Sequence, residues 1–296
     1  MANFVSSIGI NWSNYSKFVE ILSGEMKIAV YTGKKESSDS GRLKEMFDRL
    51  EAGGCEFYDV KSAAEVVSGT DMMMAIGGDG TFLSSASIVG YSEIPLLGVN
   101  VGRLGFLSEH RPEDIAEAIL SGNYVVEERS LLSSRIESGG ETLKYRALNE
   151  MTVHRNGAAM LGVDIRIDGV KIPTYWADGL IVSTASGSTA YSLSVGGPIV
   201  VPGSKVLIIS PIAPHNLNVR PMIVPDSSRI DLSFIARDND VIFTADNSTE
   251  KIPSDSSVKI SLAQFSLKRV SLRQSNFFSA LTDKLHWGED VRNTNK

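Results

Sequence analysis

The chain has 296 residues, a formal charge of −6, and a composition that is 42% hydrophobic and 22% charged. That is enough apolar material for one large or two ordinary globular domains, and the acidic balance argues against a general affinity for nucleic acid or an anionic membrane surface. A single cysteine, Cys55, excludes an intramolecular disulfide and fits a reducing, cytoplasmic setting. No apolar stretch approaches the roughly 18 residues of a membrane span, and no signal peptide is visible.

Residues 1–25 are polar and weakly patterned and read as a dispensable leader. From Met26 the chain alternates strand and helix. MKIAVYT is a strand. A helix follows over Ser40–Ala52, with Leu43, Met46, Phe47 and Leu50 on one face and Gly53-Gly54 as its stop. CEFYDV is a second strand, the wholly apolar MMMAI at 72–76 a third, and IPLLGVN at 94–100 a fourth, before Pro112 opens a helix through Leu120. Such alternation predicts a Rossmann-like α/β domain with a parallel sheet over residues 26–122. After Gly122-Asn123 the chain becomes a series of short β-prone runs, from YVVEERSLL through GLIVST, KVLIIS and DVIFTAD to KRVSLR. Turn residues separate them, and the expectation is an all-β sandwich over 123–272. The closing NFFSALTDKLHW has helical spacing and is expected to return to the first domain, which then includes 273–296.

The sharpest local signal is Gly77-Gly78-Asp79-Gly80-Thr81, where the strand MMMAI runs through three glycines into a helix-like stretch. Glycines let a ligand approach bare backbone, and a helix N-terminus aims N–H groups and partial positive charge at one point. The carboxyl end of a sheet strand is also where α/β domains bind ligands. A phosphate is the natural occupant, and with a surface this acidic it must be held by local geometry. A carboxylate repels phosphate, so Asp79 has a different reason to be there. It is either a base, hydroxyl orienter or Mg²⁺ contact, or the cap of the next helix. Neither the GxxxxGK[ST] loop nor GxGxxG is present.

A second signal runs from Asp178 through GLIVSTASGSTAY to Ser194. An apolar strand passes into small hydroxyl residues, among them Ser188 and Thr189, then Ala190 and the aromatic Tyr191. Short side chains leave room for a ligand and offer many donors, and Tyr191 is placed to border a flat ring. The apolar Leu193 and Val195 directly behind the strip weigh against a purely solvated loop. Asn149-Glu150, at the start of MTVH, is a pair of the kind that grips ribose hydroxyls, although read alone it fits a solvated strand end better. The Gly98–Leu107 stretch offers Asn100 and Phe106 as ligand contacts, or is simply a glycine-lined packing loop. His215 reads as structural, and four scattered histidines with one cysteine make no zinc site.

Together these segments resemble the NAD kinase family. GGDGTFL at 77–83, Asn149-Glu150, DGLIVSTASGSTAYSLSVGGPI at 178–199, PHNLNVRP at 214–221 and the closing NFFSALTDKLHW follow that family's order and spacing over residues 26–288. GGDGT alone is shared with diacylglycerol kinases and phosphofructokinases, whereas GSTAY with an upstream Asn-Glu pair is far more specific. The resemblance implies transfer of a phosphoryl group from ATP to the adenosine-ribose 2′-hydroxyl of NAD. It also implies a divalent metal, Mg²⁺, an NAD site between an α/β domain and a β-sandwich, and a homodimer or homotetramer. It makes Asp79 the catalytic aspartate. Gly77, Gly78, Gly80, Thr81, Asn100, Phe106, Asn149, Glu150, Asp178, Ser188, Thr189, Ala190, Tyr191 and Ser194 become the nucleotide-binding set. Ala185-Ser186 stands where the family often has Pro-Thr, and Asp246-Asn247-Ser248 where Asp-Gly-Gln is frequent, with Asn expected to hold the same left-handed turn. Two rival readings remain, a lipid or small-molecule kinase sharing the GGDGT turn and a non-catalytic dinucleotide sensor. The hydroxyl-rich strip speaks against the first and the intact Asp79 against the second.

Overall fold

A computed structural model describes residues 26–33, 40–102, 105–273 and 276–287. The expected leader at 1–25 lies outside the described residues. The chain divides into two compact units, one built from residues up to Glu127 and from Arg269 onward, the other from Glu128–Lys268.

The first unit is α/β. Strands β1 (Met26–Thr32), β2 (Cys55–Asp59), β3 (Met72–Ile76) and β4 (Leu96–Val99) alternate with helices α1 (Ser40–Ala52), α2 (Asp79–Val89) and α3 (Pro112–Leu120). With β5 (Tyr124–Arg129) and β18 (Leu267–Leu272) they form a six-stranded sheet in the order β2-β1-β3-β4-β18-β5. The pairings from β2 across to β18 are parallel. All five residues of β3 are buried, which explains its unbroken apolar run: a parallel strand covered on both faces has no side to turn to water. Met46 and Leu50 of α1 and Ile115 and Ile119 of α3 join Ile28, Met72, Met74 and Leu97 in one core. Each such side chain contributes about 1.5–3 kcal/mol by leaving water. Pro112 begins α3 with its ring where no N–H is needed.

The runs YVVEERSLL and KRVSLR were expected in the β domain, yet β5 and β18 add to the α/β sheet. Short β-prone runs look alike in either kind of sheet, and Arg269 in the middle of β18 is itself buried. It is held there by Glu109 and Glu127, whose carboxylates accept from its guanidinium at 2.5 and 3.4 Å. Helix α5 (Phe277–Leu285) also belongs to this unit, as expected, and begins at Asn276, whose side chain accepts the Phe278 N–H at 2.9 Å.

The second unit is all-β. One antiparallel sheet has the order β10-β9-β14-β17-β6-β7, the other β13-β12-β11-β8-β15-β16. The first comprises β6 (Leu132–Ser138), β7 (Glu141–Ala147), β9 (Leu161–Ile167), β10 (Val170–Ala177), β14 (Ile230–Ile235) and β17 (Ser257–Leu262). The second comprises β8 (Glu150–Arg155), β11 (Gly179–Thr184), β12 (Val206–Ile212), β13 (Met222–Pro225), β15 (Asp240–Ala245) and β16 (Ser248–Pro253). Ile136, Val163, Ile165 and Ile260 of the first share a core with Met151, Val153, Leu180, Val182 and Phe243 of the second. Period-two alternation turns these residues into the shared core and their neighbours to the opposite face of each sheet. Strand β11 is buried at all six positions. No helix among the described residues is long and apolar enough to cross a membrane.

Candidate active site

At the end of β3 the backbone turns sharply. Gly77 has φ +149°, a conformation that side-chain-bearing residues rarely adopt, and its N–H bonds the Val99 carbonyl at 2.8 Å. Gly78 is the extended residue before α2, so Asp79 is the first residue of the helix and not its cap. A β-carbon at Gly78 or Gly80 would meet no atom within 4 Å, so there is open room beside the bare backbone of the turn. Thr81 follows in the first turn of α2, its N–H bonded to the Gly78 carbonyl at 3.0 Å.

The Asp79 side chain turns to the loop that follows β4. Its Oδ2 accepts the Phe106 N–H at 2.9 Å, and its Oδ1 accepts those of Leu107 and Ser108 at 3.0 and 2.9 Å. Helix capping, one of the two sequence readings, is therefore not what this carboxylate does: no side-chain cap bond is made at the start of α2. The Ser108 hydroxyl donates to the Gly77 carbonyl at 2.5 Å and closes the loop back onto the glycine turn. Asn100 is buried, donates to the Ser108 carbonyl and accepts the Gly102 N–H, both at 2.9 Å. The structure thus places Asn100 as a brace of this loop. Phe106 is partly exposed, packs near Phe277 with ring centres 6.4 Å apart, and carries the Lys284 ammonium 4.6 Å over its ring.

In the β unit, Asn149 and Glu150 are fixed by Asp246, which precedes the two residues of its turn that depart from the family pattern. Asp246, at the turn between β15 and β16, accepts the N–H groups of Leu148, Asn149 and Glu150 at 2.6, 3.0 and 3.2 Å. The left-handed position of that turn is Asp246 itself, with φ +47°, and not Asn247 as expected. The Asn149 carbonyl accepts the Thr184 N–H and the Ser183 hydroxyl. Two acceptors are then left over: Asn149 Oδ1 and Glu150 Oε2 are buried with no hydrogen-bond partner. Burial, followed by the nearby Asp246 charge, pushes the Glu150 carboxyl up to about 8. Buried polar atoms cost free energy until a partner reaches them. Asn149 Oδ1 can only accept, and the Glu150 carboxyl, which keeps its proton near pH 7, can donate as well as accept, so this pair is built for a ligand that brings hydroxyl or amino groups.

The hydroxyl strip packs against the same strand end. A short 3₁₀ turn spans Ser186–Thr189 and a single helical turn, α4, spans Tyr191–Ser194. Gly187 lies so close beneath the strip that a β-carbon would fall 2.2 Å from the Asn149 carbonyl oxygen. The structure sorts the predicted residues here into two kinds. Ser188 is fully buried, and its hydroxyl both donates to the Val200 carbonyl and accepts the Val200 N–H at 3.1 Å, so it braces the turn. Thr189 and Ala190 are half-buried, Tyr191 and Ser194 exposed. The Tyr191 ring stacks on His154, 5.9 Å between centres and 15° between planes. Asp178 pairs with Arg155, Nε to Oδ1 at 2.7 Å. His154 and Arg155 went unnoticed in the sequence. Period two along β8 would have placed His154 on the face of Glu150, two alternations away. Among the described residues no group of three or more His, Cys, Asp or Glu side chains could by itself hold a metal ion.

Family models match both halves of the chain. That for the ATP-NAD kinase N-terminal domain covers residues 18–123, and that for the ATP-NAD kinase C-terminal domain covers 148–272. The NAD kinase of Flavobacterium johnsoniae is 36% identical over 294 residues, 90% of this chain and 100% of that protein. The chain belongs to the ATP-NAD kinase family.

Within that family it is 43% identical to the NAD kinase of Cytophaga hutchinsonii over 229 residues, 75% of this chain and 78% of the relative. Among solved structures, an NAD kinase from Archaeoglobus fulgidus in complex with ATP superposes with TM-score 0.70 at 28% identity, over 88% of this chain and 99% of that one. The yeast NADH kinase complexed with NADH superposes with TM-score 0.83 over 92% and 90% of the two chains, and at 23% identity it supports the fold alone. The ATP-NAD kinase N-terminal match begins at residue 18, inside the stretch read from sequence as a leader.

Proposed function

We infer that this member of the ATP-NAD kinase family phosphorylates NAD with ATP at the adenosine-ribose 2′-hydroxyl, giving NADP and ADP. The observation that carries the reading is the pair of buried, unpartnered acceptors at Asn149 and Glu150, set beside a strip of small residues and a stacked Tyr191. Ribose hydroxyls and an adenine amine supply the donors that this pair lacks, and Tyr191 borders the base. Asp178, Thr189, Ala190 and Ser194 complete the dinucleotide side.

On the α/β side the Gly77–Thr81 turn and the N-terminus of α2 hold donor phosphates through backbone N–H groups. The 2′-hydroxyl oxygen forms a bond to the γ-phosphorus as the bond from phosphorus to the β,γ-bridging oxygen breaks. The hydroxyl proton passes to Asp79, and ADP leaves with the released electron pair. Oδ2 of Asp79 accepts only one N–H and so retains acceptor capacity for that hydroxyl. The loop N–H groups keep the carboxylate aimed, so most of the barrier reduction comes from positioning.

A Mg²⁺ ion would be carried to the site by the nucleotide phosphates, with the Asp79 carboxylate as the protein group that would help hold it. When bound it neutralises charge on the β- and γ-phosphates. The working form we propose is a cytoplasmic homodimer or homotetramer, checked by light scattering. The decisive experiment incubates the chain with NAD, ATP and Mg²⁺ and reads NADP with an NADP-specific dehydrogenase. NADP formation that requires ATP separates this reading from a lipid kinase and from a dinucleotide sensor, and its absence sinks it.

A further inference from the structure

The loop that grips Asp79 is itself gripped. Lys284, on the last turn of α5, donates from its ammonium to the Gly105 carbonyl and lies 4.6 Å over the centre of the Phe106 ring. Phe277, one residue into the same helix, approaches Phe106 from another side. The next three N–H groups, those of Phe106, Leu107 and Ser108, are the ones that hold the Asp79 carboxylate. Carbonyl, ring and N–H groups belong to four consecutive residues, so tension on one is felt by the others.

The ammonium is partly buried, and burial lowers its pKa while Glu109 and Asp79 counter that by favouring the charged form. Behind it, Glu109 is paired with Arg269 at 2.5 Å, and the Arg269 guanidinium also donates to the Leu107 carbonyl at 3.4 Å. Burial pushes the adjacent His110 down to about 4, so it stays neutral near pH 7 and adds no competing charge. Among the described residues, Lys284 thus holds the loop at Gly105 and Phe106, and Arg269 holds it at the Leu107 carbonyl.

We propose that Lys284 is a positioning residue for phosphoryl transfer: it pins the 105–108 loop through the Gly105 carbonyl and the Phe106 ring, and the loop in turn sets the Asp79 carboxylate. Lys284 need touch neither nucleotide. Its effect is on where Asp79 points, and misplacement of a reacting group by about 1 Å costs up to roughly 100-fold in rate. The role rests on the reading that Asp79 serves NAD phosphorylation, so the test has one arm that does not use turnover.

Amide hydrogen exchange is followed at Phe106, Leu107 and Ser108, with Ile115 and Ile119 of α3 as internal controls. In Lys284→Met, exchange at the three loop amides rises about tenfold while the α3 amides hold, as expected for a local opening and not a global one. Steady-state kinetics then give a kcat reduced about 10–100-fold with the KM for NAD nearly unchanged, and Lys284→Arg, which keeps charge and donor, restores most of both. In an Asp79→Asn background the Met substitution adds little, because the two residues act through one group. Unchanged loop exchange, a wild-type kcat, or a loss equally large in the Asp79→Asn background overturns the proposal. Should Lys284→Met melt early, Lys284→Gln is held to the same criteria. A wild-type chain that makes no NADP refutes the kinase reading alone, and the exchange arm still decides whether Lys284 holds the loop.

Discussion

Asp79 and Gly105 meet at a distance that admits no side chain: a β-carbon on Gly105 would lie 1.9 Å from Asp79 Oδ1 and 2.4 Å from its Cγ. The loop wraps the carboxylate closely enough for three backbone N–H groups to reach it. Gly105→Ala must therefore move the loop, the carboxylate or both. Overpacking of this kind costs about 1–3 kcal/mol, and the displaced Asp79 should lower kcat by at least tenfold. A thermal melt and steady-state kinetics check this; an Ala variant with wild-type turnover would show that the loop adapts without moving the carboxylate.

Asp79→Asn separates proton acceptance from turn geometry. The amide retains one oxygen but turns an N–H₂ toward N–H donors of the loop, so a bond is lost as well as the base. The expected result is a kcat lowered by about 10²–10⁴ and a stability loss of about 1–3 kcal/mol from unpaired loop N–H groups. NAD affinity, measured by titration, should survive. Near-normal kcat would leave Asp79 as a loop brace only.

Glu150 gives a pH dependence whose sign follows from its raised value. The ordinary carboxyl near 4.5 is pushed to about 8 in the folded chain. Below about 4.5 both folded and unfolded forms carry the proton and the group contributes no slope. Between 4.5 and 8 the unfolded chain releases the proton that the folded chain keeps, so stability falls as pH rises. Above about 8 both forms are ionised and the loss is complete. Glu150→Gln, which cannot ionise, should melt higher than wild type at pH 8, with the gap closing toward pH 4.5. Parallel melting curves for the two proteins across that range would contradict the raised value. The same substitution should weaken NAD more than ATP, because Glu150 stands on the dinucleotide side of the proposed site.

Asp246→Ala removes the acceptor for three consecutive N–H groups, those of Leu148, Asn149 and Glu150. The strand start should loosen at a cost of several kcal/mol, since each buried donor left unpaired costs about 1–3 kcal/mol. The KM for NAD should rise with a smaller change in the KM for ATP. Asp246→Asn, with one oxygen left to accept, should fall between. Equal effects on both substrates would mean that Asp246 supports the fold without favouring the dinucleotide side.

Local pattern alone was sufficient for β3, α3 and the glycine turn, because each is decided by its own residues. Five consecutive apolar residues at 72–76 leave no wet face for a strand, Pro112 starts a helix where no N–H is needed, and Gly77 takes a positive φ that residues with side chains rarely adopt. The family was legible for the same reason, since its motifs are contiguous stretches. Tertiary structure alone decided what the charged groups do. Asp79 finds its partners 27 to 29 residues away and Asp246 finds its partners 96 to 98 residues away. Lys284 meets Gly105 across 179 residues. The run KRVSLR reads as a β-domain strand, and only the folded sheet shows Arg269 within it buried between Glu109 and Glu127. Apolar burial follows a period that a single segment displays, whereas a hydrogen bond or ion pair needs two segments brought within about 3 Å, and that proximity is set by the topology of the whole chain.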